Sequence, residues 1–375
     1  MSNFLCSKCL NPSTRPNVSF NDKGICSVCV LKQADSKGEI NWNERDNEIQ
    51  EICKWGRKNS KNSYDCIVTV SGGKDSMRQA FYARDNLGLN PLLVSAVYPP
   101  ERLTDRGADN LSNLVEHGFD CISIGLNPQI LKQLTKHTLT KYLNIITAAE
   151  FGLYAIPIHV AIAHKIPLVF LGENPAHTIG EKHGKLDGDA SQMRNSNTLM
   201  GGNADIFLEA GVSKQDIHFY NYPSQEDVEA AKLRLVYLGY YIKDWDGWNN
   251  AKLATEKGII NRDEPPEDIG DLWGVSALDE DFRIVNQHIK YLKYGFGHVT
   301  DQVMERIHSG MMEREEGIKL IKEFDGKCHP RYIDQLCNYL KISINDFWTI
   351  AEKARNEEIW KKNKNGDWVL DIEWK

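Results

Sequence analysis

Ser71-Gly72-Gly73-Lys74-Asp75-Ser76 is the run whose residue types could do chemistry, and that chemistry is phosphate binding. Gly72 and Gly73 let the backbone approach an anion closely, Lys74 brings positive charge, and Ser71 and Ser76 can donate hydrogen bonds. Asp75 could hold a magnesium ion beside the phosphates. Such a loop works only when it is correctly positioned. The preceding Cys66-Ile67-Val68-Thr69-Val70, led by Asp65, is short, apolar and β-branched, which predicts a buried parallel strand. The following Met77 to Leu87 predicts an amphipathic helix, with Ala80, Phe81 and Leu87 packing inward and Gly88 closing it. A helix that opens on glycines presents unpaired N–H groups and a favourable dipole to an anion. The spacing is neither that of a Walker A loop nor that of a dinucleotide fingerprint. The bland alternative is an ordinary glycine turn between a strand and a helix.

A second constellation stands at the N-terminus. Cys6-x2-Cys9 and Cys26-x2-Cys29 are separated by 16 residues, a spacing suited to tetrahedral zinc. Pro12, Pro16 and Gly24 between the pairs fit a knuckle too small to fold without a staple. An iron–sulfur cluster or a metal-free redox pair would use the same residues, and a zinc ion here would most simply be structural. Cys53, Cys66, Cys121, Cys328 and Cys337 lack ligand spacing, and Cys66 and Cys121 are expected in the core.

The chain has 375 residues, 41% hydrophobic and 26% charged, with a net charge of −7. That describes a globular protein with room for one large α/β unit and smaller additions. The acidic balance argues against broad nucleic-acid binding. No apolar run is long enough for a membrane span and no signal core opens the chain, so a cytoplasmic location is expected. Residues 1–45 form the metal module and linker, with Gln33 to Glu44 polar; 46–245 form the nucleotide domain; 246–375 form a mostly helical region.

Within 46–245, apolar runs and amphipathic stretches alternate. Leu92 to Val97, Cys121 to Ile124, Leu168 to Leu171 and Ile217 to Tyr220 are strand candidates. Glu48 to Trp55, Gly107 to His117, Pro128 to Leu143, Ala149 to Ala163 and Gln225 to Tyr237 are helix candidates. The alternation predicts a doubly wound parallel sheet with ligands at its carboxyl edge. There, Gly172, Glu173 and Asn174 leave one strand: Glu173 could bind magnesium or position a nucleophile, and Asn174 could touch phosphate or ribose. A solvated turn is the plainer reading of both. The polar stretch from Gly172 to Gly202, with His177, Glu181, Lys182, His183, Lys185, Asp187, Asp189 and Arg194, is expected to be a lid, its histidines solvated. Trp245, Trp248, Trp273 and Pro265-Pro266 mark an irregular segment. Asp281 to Tyr294, Val299 to His308, Arg314 to Phe324 and Tyr332 to Leu340 read as helices. The two glycines of Lys293-Tyr294-Gly295-Phe296-Gly297-His298 allow close approach to another element or a ligand.

The Ser71 to Ser76 run resembles the SGGxDS loop of the PP-loop ATPases, the N-type ATP pyrophosphatases, which cleave ATP to AMP and pyrophosphate while adenylating a carbonyl or carboxyl oxygen. That resemblance implies an adenine nucleotide alpha hydrolase-like fold (HUP type), with Val97 beside the adenine. The four-cysteine module, the loop, Leu171-Gly172-Glu173-Asn174, and Lys293-Tyr294-Gly295-Phe296-Gly297 before Arg314-Glu315-Glu316 together resemble the N-acetyl sugar amidotransferases of the WbpG and PseA type. Those enzymes of bacterial surface-polysaccharide and flagellar-glycan biosynthesis convert an acetamido group into an acetamidino group. The resemblance implies ATP, Mg2+ and Zn2+ as cofactors and an N-acetylated sugar as substrate, either nucleotide-linked or a nonulosonic acid. It gives Lys74 and Asp75 to pyrophosphate departure and Glu173 to ammonia. No cysteine has the surroundings of a glutaminase nucleophile, so ammonia is expected from a partner; the resemblance implies that this partner is a separate glutaminase with a channel-forming subunit, similar to the histidine-pathway pair. The alternative is a tRNA thiolase with an N-terminal zinc finger. That group carries further catalytic cysteines and a C-terminal CxxC, whereas Cys328 and Cys337 here have eight residues between them.

Overall fold

In the computed structural model, which describes residues 3–38, 40–182 and 185–374, five parallel strands form the central sheet. They are β1 (Cys66–Thr69), β2 (Pro91–Val97), β3 (Cys121–Gly125), β4 (Leu168–Leu171) and β5 (Arg234–Tyr237), in the order β3-β2-β1-β4-β5. The three inner strands are nearly continuous apolar runs because helices cover both of their faces. On one face Ile67, Leu92, Val94, Val169 and Leu235 meet Phe151, Ile156 and Ile158 of the helix Thr147–His164. On the other, Cys66, Val68, Leu93, Phe170 and Val236 meet Ile49 and Ile52 of Trp42–Asn59 and Met77, Ala80 and Phe81 of Lys74–Phe81. Each large side chain so buried contributes roughly 1.5–3 kcal/mol. The order places the glycine run directly after β1, between β2 and β4, where the winding of the sheet reverses and a crevice opens.

Several local expectations give way to tertiary context. The single helix expected over Gln225 to Tyr237 is a short helix, Gln225–Ala230, followed by β5. Lys232 turns left-handed at φ 52°, and Arg234 to Tyr237 pair with Leu168 to Leu171. An unpaired edge of a buried sheet outweighs the helix propensity of a four-residue segment. Ile217 to Tyr220 is not a strand: it buries Ile217 and Tyr220 under the sheet and makes a 3-10 turn at His218–Tyr220. The polar stretch Gln33 to Glu44 is largely helical at its two ends, in Ser27–Ser36 and in Trp42–Asn59, with Asn41 capping the second. The segment after Asp244 holds a helix, Gly247–Glu256, capped by Asp246. Cys66 is in the core, but Cys121 lies half-buried on edge strand β3.

The four expected C-terminal helices form as Phe282–Tyr294, His298–His308, Arg314–Phe324 and Pro330–Leu340. A fifth, Ile344–Ala351, and a small hairpin, β6 (Trp360–Lys362) with β7 (Trp368–Leu370), follow them. Gly295, at φ 72°, ends the first of these helices. At Gly297 a Cβ would lie 2.7 Å from Asp325 Oδ1, so only glycine fits between the two elements. The Asp325 carboxylate accepts from Gly297 N (2.8 Å) and Val299 N (3.0 Å), satisfying the open N-terminus of His298–His308.

The first thirty residues pack on this C-terminal region. Leu5 and Leu10 meet Val299, Val303 and Ile321, while the four cysteines and Val28 meet Met304. Arg15 pairs with Asp301 and stacks on Phe296 at 4.2 Å. Among the described residues no helix is long and apolar enough to cross a membrane.

Candidate active site

Gly72 sits at φ +84°, and a Cβ there would be 3.0 Å from Leu111 N of the helix Asp105–Glu116. The turn therefore needs glycine both for its backbone conformation and for its fit against that helix. Gly73 is the N-cap, and the helix begins at Lys74, three residues earlier than the apolar spacing suggests. After Phe81 it continues as one wider π-helical turn, Tyr82–Asn86. Ser71 N donates to Ser76 Oγ at 2.7 Å, drawing the loop closed and leaving helix N–H groups facing the crevice.

The crevice has a volume of about 490 Å³, and Ser71, Gly73, Lys74, Asp75 and Ser76 line it together with Val97, Gly172 and Glu173. The Lys74 ammonium donates to Asp75 Oδ2 at 2.7 Å, and Asn250 Nδ2 holds Asp75 Oδ1 at 2.8 Å. Burial alone would lower the Lys74 pKa. The charges of Asp75, Glu305 and Glu173 reverse that and hold it above the usual lysine range. Glu173 is open to water inside the crevice, yet the walls around it displace bulk solvent. That displacement raises its pKa first, and the Asp75 charge raises it further, against the pull of Lys74. A divalent cation would relieve the charge that Asp75 places on Glu173.

Asn174 is placed differently from the expectation that it touches phosphate or ribose. Its Oδ1 accepts from Ala176 N at 2.9 Å, and its Nδ2 donates to the carbonyls of Lys185 (2.8 Å) and Asp187 (2.9 Å). Its amide is thus occupied in tying down the 172–202 loop. That loop runs along the free edge of β5, through Ala190 N to Leu235 O (3.0 Å) and Tyr237 N to Gly188 O (2.9 Å), and lends Glu181, Met193 and Ser196 to the crevice. His177 is half-buried and packs edge-on against Tyr240 at 5.6 Å, not solvated as expected, with its pKa lowered by burial. His183 lies outside the described residues.

Residues that sequence reasoning did not assign form the opposite wall: Asp271, Ser276, Asp279, Arg283 and His298. Arg283 pairs with Glu150 at 3.1 Å across the crevice. Arg262 holds the strip before Arg283, donating to Ala277 O and to Asp281 Oδ1 (2.8 Å). Asn250 was within reach of the sequence, since Asp246 is a good N-cap for a helix carrying it. Nothing in the pattern marks Arg262 or Arg283.

The four cysteines come together. Their sulfurs all lie within 4.8 Å of one another in a buried cluster, with Cys6 Sγ 3.9 Å from Cys29 Sγ and Cys9 Sγ 3.5 Å from Cys26 Sγ. Tetrahedral zinc with Zn–S bonds of about 2.3 Å separates its sulfurs by about 3.8 Å, so the cluster fits that ion. Contacts with Cys29, Cys6 and Cys9 push the Cys26 thiol pKa down, and contacts with Cys26 and Cys29 push that of Cys9 up. Four adjacent thiols cannot all ionise without a cation among them. Cys6 Sγ accepts from Cys26 N at 3.3 Å, and His308 Nε2 lies 3.3 Å from Cys29 Sγ.

Residues 278–373 match the family described as LPS biosynthesis protein WbpG-like, C-terminal domain. Over 113 residues the chain is 28% identical to the uncharacterized protein MJ1599 of Methanocaldococcus jannaschii; the match covers 30% of this chain and 39% of the length of that relative. The NMN synthetase of Francisella tularensis is a structural neighbour with a TM-score of 0.29 and 16% identity, covering 52% of this chain and 93% of that one.

Proposed function

We propose that the protein is an ATP-dependent N-acetyl sugar amidotransferase of PP-loop type, acting in the synthesis of a bacterial surface or flagellar glycan. One observation carries this reading. The phosphate loop with Lys74, Asp75 and Glu173 faces, across one crevice, a wall drawn from the segment that matches the WbpG-like C-terminal domain, including Asp279, Arg283 and His298.

An amide oxygen is a poor leaving group until it is adenylated. The acetamido oxygen attacks the α-phosphorus of ATP, the bond to pyrophosphate breaks, and an O-adenylated imidate forms. Lys74 and the N–H groups of the loop stabilise the charge that grows on the departing pyrophosphate. Asp75 orients Lys74 through their 2.7 Å bond and is itself fixed by Asn250. Asp75 and Glu173 would hold Mg2+, which when bound neutralises phosphate charge and aligns the chain of phosphates. Ammonia then attacks the imidate carbon, and AMP departs with the former carbonyl oxygen. The ammonia would come from a separate glutaminase with a channel-forming subunit. Zn2+ on Cys6, Cys9, Cys26 and Cys29 would staple the N-terminal module to the C-terminal helices and take no part in the reaction.

The test is mass spectrometry of protein with ATP, Mg2+, ammonium and a panel of acceptors: a nucleotide-linked diacetamido uronic acid, pseudaminic acid and simpler N-acetyl sugars. AMP together with replacement of one sugar oxygen by NH is the expected result. AMP with every sugar unchanged would reject the acetamido group as acceptor.

A further inference from the structure

A second chamber, about 410 Å³ in volume, lies on the other side of Lys74 from the crevice. Trp245, Trp248 and Trp273 line it, and it shares Lys74, Ser276 and His298 with the crevice, so these residues form a common wall. ATP and an acceptor sugar would fill the first space, which leaves the second as the approach for a small third reactant. Lys32, Arg45, Lys74, Lys243 and Arg306 along it outnumber Asp246, Asp301 and Glu305, and this net positive lining disfavours an ammonium ion relative to neutral ammonia.

His298 is the titratable group best placed at that boundary. It opens the helix His298–His308, in a position set by Gly297 and Asp325. Its buried Nε2 stands 3.6 Å from Asp271 Oδ2 and has no hydrogen-bond partner among the described residues. Asp271 is rigid, because its Oδ1 accepts from Trp273 N (2.9 Å), Gly274 N (2.9 Å) and Gln302 Nε2 (2.7 Å). A histidine backed by a buried, fixed carboxylate is the arrangement of a general base.

We propose that His298, oriented by Asp271, is the general base for the nitrogen nucleophile, which reaches the activated acceptor through the tryptophan-lined chamber. The inference rests on the amidotransfer reading above. The nitrogen lone pair forms the C–N bond while one proton passes from that nitrogen to His298. The C–O bond then breaks, and its electron pair leaves with AMP. His298 releases its proton to water in the chamber. Burial lowers the pKa of the ring, as do Lys290 and Lys74, against the opposing pull of Asp271 and Asp301; Glu305 faces the chamber two turns further along the same helix. The ring is therefore neutral and able to accept a proton near pH 7. Glu173, which lines the crevice with Asp75, is left to the metal.

The experiment separates the two half-reactions in His298→Gln. With a nucleotide-linked diacetamido uronic acid or pseudaminic acid as acceptor and no ammonium, acceptor-dependent exchange of labelled pyrophosphate into ATP reports activation and native folding. Relative to the parent, amidine formation from ammonium chloride at pH 7 is expected to fall about 10²–10⁴-fold further than exchange does. At constant free ammonia, the parent should lose rate as pH falls below the ordinary histidine value, and His298→Gln should lack that acid limb. Equal transfer rates and equal pH profiles in the two proteins would overturn the assignment, as would exchange and transfer falling by the same factor in a folded variant. If His298→Gln does not fold, His298→Asn and the acid limb of the parent carry the test. Absence of exchange in the parent with both acceptors would overturn the amidotransfer reading itself, and this inference with it.

Discussion

Arg102→Met tests how the far wall of the crevice is held to the sheet. Arg102 and Glu280 are both 0% exposed and joined at 2.7 Å, linking the turn after β2 to the strip that carries Leu278 and Asp279. Arg102 also donates to Thr135 Oγ1 at 3.2 Å, and Glu280 Oε1 has no partner among the described residues. Methionine keeps much of the stem but leaves a carboxylate buried alone, and proton uptake is the cheapest remedy. Holding an ordinary glutamate of pKa about 4.3 protonated costs about 1.4 kcal/mol per pH unit above that value, so about 3.7 kcal/mol at pH 7 and about 1.6 kcal/mol at pH 5.5. This falls within the roughly 3–5 kcal/mol expected for breaking a buried pair. The variant binds one proton more in its folded state than the parent does, so its deficit shrinks as pH falls. Urea unfolding of both proteins at pH 7 and 5.5 measures it, with Arg102→Met/Glu280→Gln recovering most of the loss. A deficit below about 1 kcal/mol at pH 7, or one that does not change with pH, would refute the reasoning.

Three further perturbations address the site. Asp75→Asn should abolish pyrophosphate release and leave the zinc content unchanged; normal turnover would remove Asp75 from the phosphate site. Cys26→Ser should lower bound zinc, measured by atomic absorption, together with solubility, and a variant that folds unchanged without metal would sink the structural-zinc reading. Gly72→Ala forces a side chain into φ +84° and against Leu111 N. It should cost about 1–3 kcal/mol in stability and weaken ATP binding, and calorimetry showing parental affinity would argue against close backbone contact with phosphate.

The loop was legible in the sequence because its signals are local. A β-branched run predicts a strand, two glycines predict a turn, and an apolar stripe predicts a helix, all between Cys66 and Leu87. The paired CxxC motifs were legible for the same reason: metal ligands keep a short, fixed spacing, and the structure brings their sulfurs together. The Gly-Phe-Gly run announced a close approach, and Asp325 is what approaches it. Asn174 misled because an amide beside a glycine-rich loop looks like a ligand, whereas its hydrogen bonds are spent on carbonyls eleven and thirteen residues away.

The sequence by itself therefore determined four of the five parallel strands, the glycine loop after the first of them, the four-cysteine cluster and most of the C-terminal helices, since propensity, capping and side-chain periodicity act over a few residues. Tertiary structure decided the rest. It recruited Arg234–Tyr237 as a fifth strand because a buried edge required a partner. It laid the N-terminal module on the helix His298–His308, and it set Asp271, Arg283 and His298 opposite Lys74, 197 or more residues apart in the chain. Such contacts arise from burying apolar surface between distant segments, and that burial leaves no local pattern in the chain that it joins.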